Sequence, residues 1–329
     1  MGQYWIIINI DKRETTGHLG KLAECFWYST SVVKYLKTPI VPSCYQPNAS
    51  ISEEKLMKFK GGHNLAAVLL TLPTELLAAI AEELLEEYFD LICLSLTCST
   101  MWEVTGRTRY RSLCSLLKRR SWAGDRVMLI GDYTNTLPKG VFTAQDRKYL
   151  ALSTRSRYEQ DLYEHACAKY QNPKTKSQCL SLLKDERVQN NSALRRDLMQ
   201  FAYKKPFSRW ILLEEEFTPV IQNSKTGSPE DHWMVRSLDR QEYVTNFSAR
   251  NLAQVLYCLI GCSDDPSGCV AGGDALIEGA WAGDRIDITL ASTHKQEYGE
   301  ALDWKDITVN IKTLLEEIAT EEEREDFEF

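Results

Sequence analysis

Asp125 and Arg126, with Asp284 and Arg285, are the residues of this chain whose types and spacing best suit chemistry. Each pair closes a Trp-Ala-Gly-Asp-Arg stretch, Trp122 to Arg126 and Trp281 to Arg285. Glycine permits a tight turn and aspartate can cap it. Arginine offers a planar fork of N–H donors that fits a carboxylate or a phosphate. Asp11 and Asp239 follow two other Trp-containing segments, and His18 lies near Gly17 and Gly20. Histidine titrates near neutrality, so His18 could act as an acid or base. Together Asp11, His18, Asp125, Arg126, Asp239, Asp284 and Arg285 could line a cleft for a small ligand or substrate. The competing reading is architectural: the tryptophans pack, Gly-Asp turns the chain, and each arginine pairs with Asp11 or Asp239. A repeated element is more often architecture, so the second reading is favoured.

Other chemistry is sparse. The glycines from Gly268 to Gly273 lack the Gly-Lys-Ser/Thr of a phosphate loop, and no Gly-x-Ser-x-Gly or His-Glu-x-x-His occurs. Ten cysteines include no Cys-x-x-Cys pair. Cys258, Cys262 and Cys269 cluster, but no histidine stands at zinc-ligand spacing, so no metal and no cofactor is expected. The net charge of −7 excludes a global nucleic-acid footprint, and no apolar run reaches the length of about 18 residues that spans a bilayer. Met1-Gly2 opens like a myristoylation signal, but Ile6 stands where serine or threonine is required. Without a signal peptide, the cysteines are read as thiols of a reducing compartment, cytoplasmic or nuclear.

The elements that must position these residues come from a repeat. Tyr4 to Glu14 reads against His232 to Glu242, with Trp, Asp and Glu at the same spacing. The order of the two motifs is the same in both halves, so an internal duplication is expected. Trp5 and Trp122 are 117 positions apart, Trp233 and Trp281 only 48, so the first copy carries 69 extra residues. Chain is inserted where two ends lie close on a surface loop. The expected fold is therefore α+β: two small mixed modules related by a pseudo-two-fold axis, the first interrupted by helices. The boundaries fall at 1–57 and 119–221 for the first module, 58–118 for the insertion, 231–318 for the second module and 319–329 for an acidic tail.

Periodicity predicts strands over 3–10, 127–130, 233–238, 281–290 and 210–213. It predicts helices over 21–36, 75–87, 89–96, 157–170, 180–202, 252–260 and 309–318, with Thr74 as an N-cap. Residues 39–52 and 222–231 read as loop and linker.

The insertion resembles an F-box over about residues 69–112. The resemblance rests on Leu72-Pro73-x-Glu75, Ile80, the block Asp90-Leu91-x-x-Leu94-Ser95-Leu96-Thr97-Cys98, and Trp102. Ser99-Thr100-Met101 departs from the usual basic residue after the cysteine. The resemblance implies a partner, a Skp-type adaptor of a cullin–RING ubiquitin ligase, with Leu72, Pro73, Leu76, Leu77, Ile80, Leu91 and Leu94 on the docking face. The repeat itself, with its Gly-Gln-Tyr-Trp start, resembles a family of uncharacterised microbial proteins, and the insertion a fungal elaboration of it. That second resemblance implies no activity. The expectation is a non-catalytic adaptor rather than an enzyme. The duplicated module would bind a client protein, and neither nucleic acid nor membrane is an expected partner.

Overall fold

A computed structural model describes residues 3–28, 31–39, 68–95, 97–134, 138–153, 162–172, 232–265, 279–299 and 303–318. The expectations for 39–52, 180–202, 210–213, 222–231, 268–273 and the acidic tail fall wholly or almost wholly outside them. The chain is a mixed α/β protein and forms two compact units. The first holds residues 1–38, 121–173 and 227–329, the second 39–120 and 174–226. The second unit thus begins at 39, and the range 119–221 contributes to both units.

Among the described residues the first unit is built on a nine-stranded mixed sheet. Its strands are β1 (Tyr4–Asn9), β2 (Glu14–Thr15), β3 (Gly20–Lys21), β4 (Asp125–Gly131), β5 (Trp233–Ser237), β6 (Glu242–Thr245), β7 (Gly261–Cys262), β8 (Arg285–Leu290) and β9 (Lys305–Asp306). The main path runs β2-β1-β4-β8-β5-β6-β9. β1 pairs antiparallel with β4, placing Ile6 opposite Ile130 and Ile8 opposite Met128. β5 pairs antiparallel with β8, placing Val235 opposite Ile288 and Arg236 opposite Asp287. β4 and β8 meet at the centre, with Arg126 opposite Arg285.

β1 and β4 are almost continuously apolar because both of their faces are covered. Trp5, Ile7, Val127 and Leu129 enter one core, which also takes in Trp122, Trp281, Val235, Ile286 and Ile288. That core is closed by α1 (Leu22–Tyr28), α2 (Ser31–Leu36), α8 (Ala249–Ile260) and α10 (Thr308–Ile318). Ile6, Ile8, Met128 and Ile130 enter a second core with Phe142, Leu162, Tyr163 and Ala166. These come from the segment around α6 (Ala144–Ser153) and from α7 (Leu162–Lys169). The expected helix over 21–36 is described as two pieces. The strand expected from Trp281 begins at Arg285, because Trp281 to Asp284 form the turn before it.

Two helix ends cross between the halves. Gly261 and Cys262, after α8, pair parallel with Leu129 and Ile130 of β4. Lys37, after α2, pairs parallel with Ile288 of β8, and the Thr38 N–H donates to the Ile288 carbonyl at 2.8 Å. The sheet therefore continues to Thr38, the last residue of the first unit's opening segment. The chain returns beside its point of exit: the Ser121 hydroxyl donates to the Lys37 carbonyl at 3.2 Å, and the Trp122 N–H to the Tyr35 carbonyl at 2.8 Å. Replacing 39–120 with a short Gly/Ser linker should accordingly leave a first unit that unfolds in one cooperative thermal transition. Aggregation at every linker length would show that the excised helices belong to the core of the first unit.

The described part of the second unit is helical: α3 (Thr74–Glu83), α4 (Tyr88–Ser95) and the 22-residue α5 (Ser99–Arg120). The N-cap of α3 is Pro73 rather than the expected Thr74, and no side chain caps it. The Leu76 and Leu77 N–H groups donate to the Pro73 carbonyl, so Thr74 is already inside the first turn. α3 ends at Glu83, four residues before the expected end, and Leu84 and Leu85 close it as turn residues. The α5 interior is partly polar. The Arg109 guanidinium stacks 3.7 Å from the Trp102 ring and donates to the Trp102 carbonyl and Thr105 Oγ1, each at 2.6 Å.

Candidate functional site

The charged residues named from the sequence converge on the crossing of β4 and β8. Asp11 accepts from the Arg126 backbone N–H at 2.7 Å and from its Nε and Nη2 at 2.9 and 2.6 Å. Asp239 accepts from the Arg285 backbone N–H at 2.7 Å and from Nε and Nη2 at 2.8 and 2.6 Å. The Trp122 indole N–H donates to Glu14 at 2.6 Å, and that of Trp281 to Glu242 at 2.9 Å. Gly124 and Gly283 both adopt φ 83°, a left-handed conformation that strains any residue with a Cβ. Asp125 is held by Asn9 at 2.7 Å and by Lys12; Asp284 is held by Ser237 at 2.9 Å and Arg240 at 2.7 Å.

Burial alone would raise the Asp239 carboxyl, but the hydrogen bonds from Arg285 outweigh it and hold it below the usual carboxylate range. Arg126 acts on Asp239 in the same direction, which places the two ion pairs in one charged cluster. Asp11, Arg126, Asp239 and Arg285 therefore neutralise one another. Asp125 and Asp284 hold the turns that precede the strands. His18 contacts none of these groups; its Nδ1 lies 2.9 Å from the Tyr163 hydroxyl. Arg126 gains a further carboxylate, Asp146 at 3.0 Å, from the start of α6. The arrangement aligns strands and leaves no unpaired charge for acid–base work among these residues. Cys258 and Cys262 are buried, with burial pushing the Cys258 thiol up; Cys269 lies outside the described residues.

The residues named for docking divide by their place on the helices. Leu76 (51% exposed) and Ile80 (37%) stand on the outer face of α3, with Pro73 and Leu69 exposed on the same side. Within α3 the spacing of 76 and 80 puts Leu76 and Ile80 on one face, and Leu69 and Pro73 precede the helix. Leu72 and Leu94 are half-buried against a small core of Leu77, Cys98 and Met101. Leu77 on α3 and Leu91 on α4 are buried inside the second unit, Leu77 on the same face of α3 as the buried Ala81.

The chain matches no protein-family model, no curated protein and no solved structure.

A third cluster was not anticipated from the sequence. Arg236, buried in β5, is gripped by Asp287 through Nε–Oδ1 at 2.8 Å and Nη2–Oδ2 at 2.6 Å. Its Nη1 lies 2.9 Å from His294 Nδ1 and donates to Glu297 at 3.0 Å. His294 and Glu297 belong to α9 (Ala291–Tyr298). The Tyr298 and Trp304 rings lie 5.5 and 5.6 Å from the guanidinium. Ring centroids of 4.8 Å for His294–Trp304 and 5.1 Å for Tyr298–Trp304 mean that the rings pack on one another, with Arg236 as the cation beneath. The signal available in the sequence is Arg236 itself, a charge at the strand position where the first half has Ile8. Among the described residues no group of three or more His, Cys, Asp or Glu could hold a metal ion, and no helix is long and apolar enough to cross a membrane.

Proposed function

We propose that this chain is an F-box-like substrate-recognition subunit. Its second unit would dock a Skp-type adaptor of a cullin–RING ubiquitin ligase in the cytoplasm or nucleus, and its first unit would bind the client. The observation that carries the reading is the apolar pair Leu76 and Ile80, left exposed on α3 while Leu77 and Ala81 face inward, with Leu69 and Pro73 exposed just before the helix. An exposed apolar patch on a helix otherwise rich in glutamate is the mark of a partner site. Such a subunit does no chemistry; it raises the effective concentration of client beside the ligase. The self-neutralised cluster at β4 and β8 favours this reading over a catalytic or ligand-binding cleft.

We also infer that the sheet unit is two copies of one module about a pseudo-two-fold axis near Arg126 and Arg285. In support, each set of contacts recurs at matched positions. The Gly124 N–H donates to the Ile286 carbonyl at 2.8 Å and the Gly283 N–H to the Val127 carbonyl at 2.9 Å. Arg13 and Gln241 share a φ of 54°. Glu14 bridges in parallel to Gln171 as Glu242 does to Lys305.

The docking proposal is tested by affinity capture from the native host. Wild type should co-purify with a Skp-type adaptor, whereas Leu76→Asp with Ile80→Asp should lose it while its melting temperature moves by no more than a few degrees. Both side chains are surface-exposed, so the double substitution should alter stability by no more than about 0.5 kcal/mol per site. Capture of the adaptor at wild-type levels by the double variant would overturn the assignment of the patch.

A further inference from the structure

The two halves of the sheet differ most on one face. In the first half Ile8 and Met128 are apolar and covered by α7 and the segment around α6. At the matching positions the second half has Arg236 and Asp287, covered by α9 and Trp304. None of the α9 side chains is fully buried, so burial of an apolar stripe does not hold it. His294, Glu297 and Tyr298 each reach from α9 to Arg236 or Trp304. A guanidinium only donates hydrogen bonds. His294 Nδ1 must therefore be the unprotonated acceptor of the Arg236 bond.

We propose that α9 is a pH-released latch, held on the sheet while the His294 imidazole is neutral and freed when it takes up a proton. Protonation removes the lone pair that Arg236 uses and sets an imidazolium against a guanidinium at hydrogen-bond distance. The groups facing His294 are few. β5 supplies Arg236, β8 supplies Asp287, and α9 itself supplies Glu297. β6 supplies the neutral Tyr243 phenol, which is bonded in turn to Asp306 of β9, α9 also supplies the Tyr298 ring at 5.3 Å, and Trp304 carries no charge. Asp287 is already engaged by two donors of Arg236, and Glu297 is partly exposed and screened. Both carboxylates favour the protonated ring, but burial and Arg236 act against it more strongly.

Burial, and then Arg236, lower the His294 pKa from its usual value near 6.5. The sign follows from proton linkage: the neutral form is favoured by the folded state, so stability is complete above the unfolded pKa. It is lost as the pH falls below 6.5 toward the lower folded value. The transition belongs to mildly acidic pH, where a histidine can switch a contact.

Hydrogen exchange read by mass spectrometry on the full chain tests the latch. Protection of the α9 amides, corrected for the intrinsic exchange rate, should fall about tenfold between about pH 7.5 and about pH 5.5, the expected effect of losing one hydrogen bond to a charged group. Amides of α8 should keep their protection. His294→Gln retains a side-chain acceptor for Arg236 but cannot titrate, so its α9 protection should be the same at both pH values. Unchanged protection in wild type, or an equal loss in His294→Gln, would overturn the proposal. Should that variant not fold, the NMR titration midpoint of the His294 ring in wild type decides. It must coincide with the release of α9, and a release at any other pH contradicts the latch.

Discussion

Trp122→Ala and Trp281→Ala should destabilise the first unit by similar amounts, although the two positions lie 159 residues apart. Both indoles are fully buried in the same core. Each also donates its N–H to a glutamate, Glu14 or Glu242. Removing a buried tryptophan typically costs about 3–5 kcal/mol, the lost transfer free energy plus the cavity. For a unit of this size the melting temperature should drop by roughly 10 °C in each variant. Trp233 is a useful contrast. It is only half-buried, with the Lys37 ammonium 4.0 Å from its ring, and Trp233→Ala should cost less than either. Differential scanning calorimetry of the three variants reads the comparison. A large loss at one of Trp122 and Trp281 with tolerance at the other would argue against equivalent roles.

Arg236→Ala should be the other severe substitution. It leaves Asp287 buried without its two guanidinium donors and strips α9 of its anchor. Breaking a buried ion pair from one side costs about 3–5 kcal/mol, because the surviving charge is uncompensated. The matching pair in the first half, Ile8 opposite Met128, suggests the compensating change. Arg236→Ile combined with Asp287→Met should recover most of that loss and could exceed wild type by about 1–4 kcal/mol, as apolar replacements of buried ion pairs often do. Chemical denaturation of the single and double variants measures both. A double variant as unstable as Arg236→Ala would mean that α9 needs the ion pair and not merely the removal of an unpaired charge.

The Trp-Ala-Gly-Asp-Arg turns were legible in the sequence because each residue does its work locally. The tryptophan has the bulk to fill a core, the glycine takes φ 83°, and the arginine fork meets an aspartate at the end of the neighbouring strand. The strands β1, β4, β5 and β8 were legible for the same reason: apolar runs bounded by polar turns. The helix α6 was missed, although Thr143 and Asp146 form a reciprocal cap, Thr143 N–H to Asp146 at 2.9 Å and Asp146 N–H to Thr143 at 3.1 Å. That signal was present. α9 gave none, since a helix with no buried side chain has no apolar period to find. The crossed pairings of Lys37 with Ile288 and of Cys262 with Ile130 were also hidden, because each rests on one or two residues brought together by folding. In the second unit the sequence marked α3 as a helix but could not separate Leu76, which is exposed, from Leu77, which is buried. Adjacent positions on a helix differ by a large rotation, and only the packing partner decides which one faces inward.

The most direct measurement of the central claim is isothermal titration of the purified full chain with a purified Skp-type adaptor at several temperatures. The account predicts one-to-one binding with a negative heat-capacity change, since Leu69, Pro73, Leu76 and Ile80 would leave water. It also predicts that Leu76→Asp with Ile80→Asp abolishes the heat while the fold persists. A correctly folded wild-type chain that binds no adaptor, or a double variant that binds it unimpaired, would contradict the account.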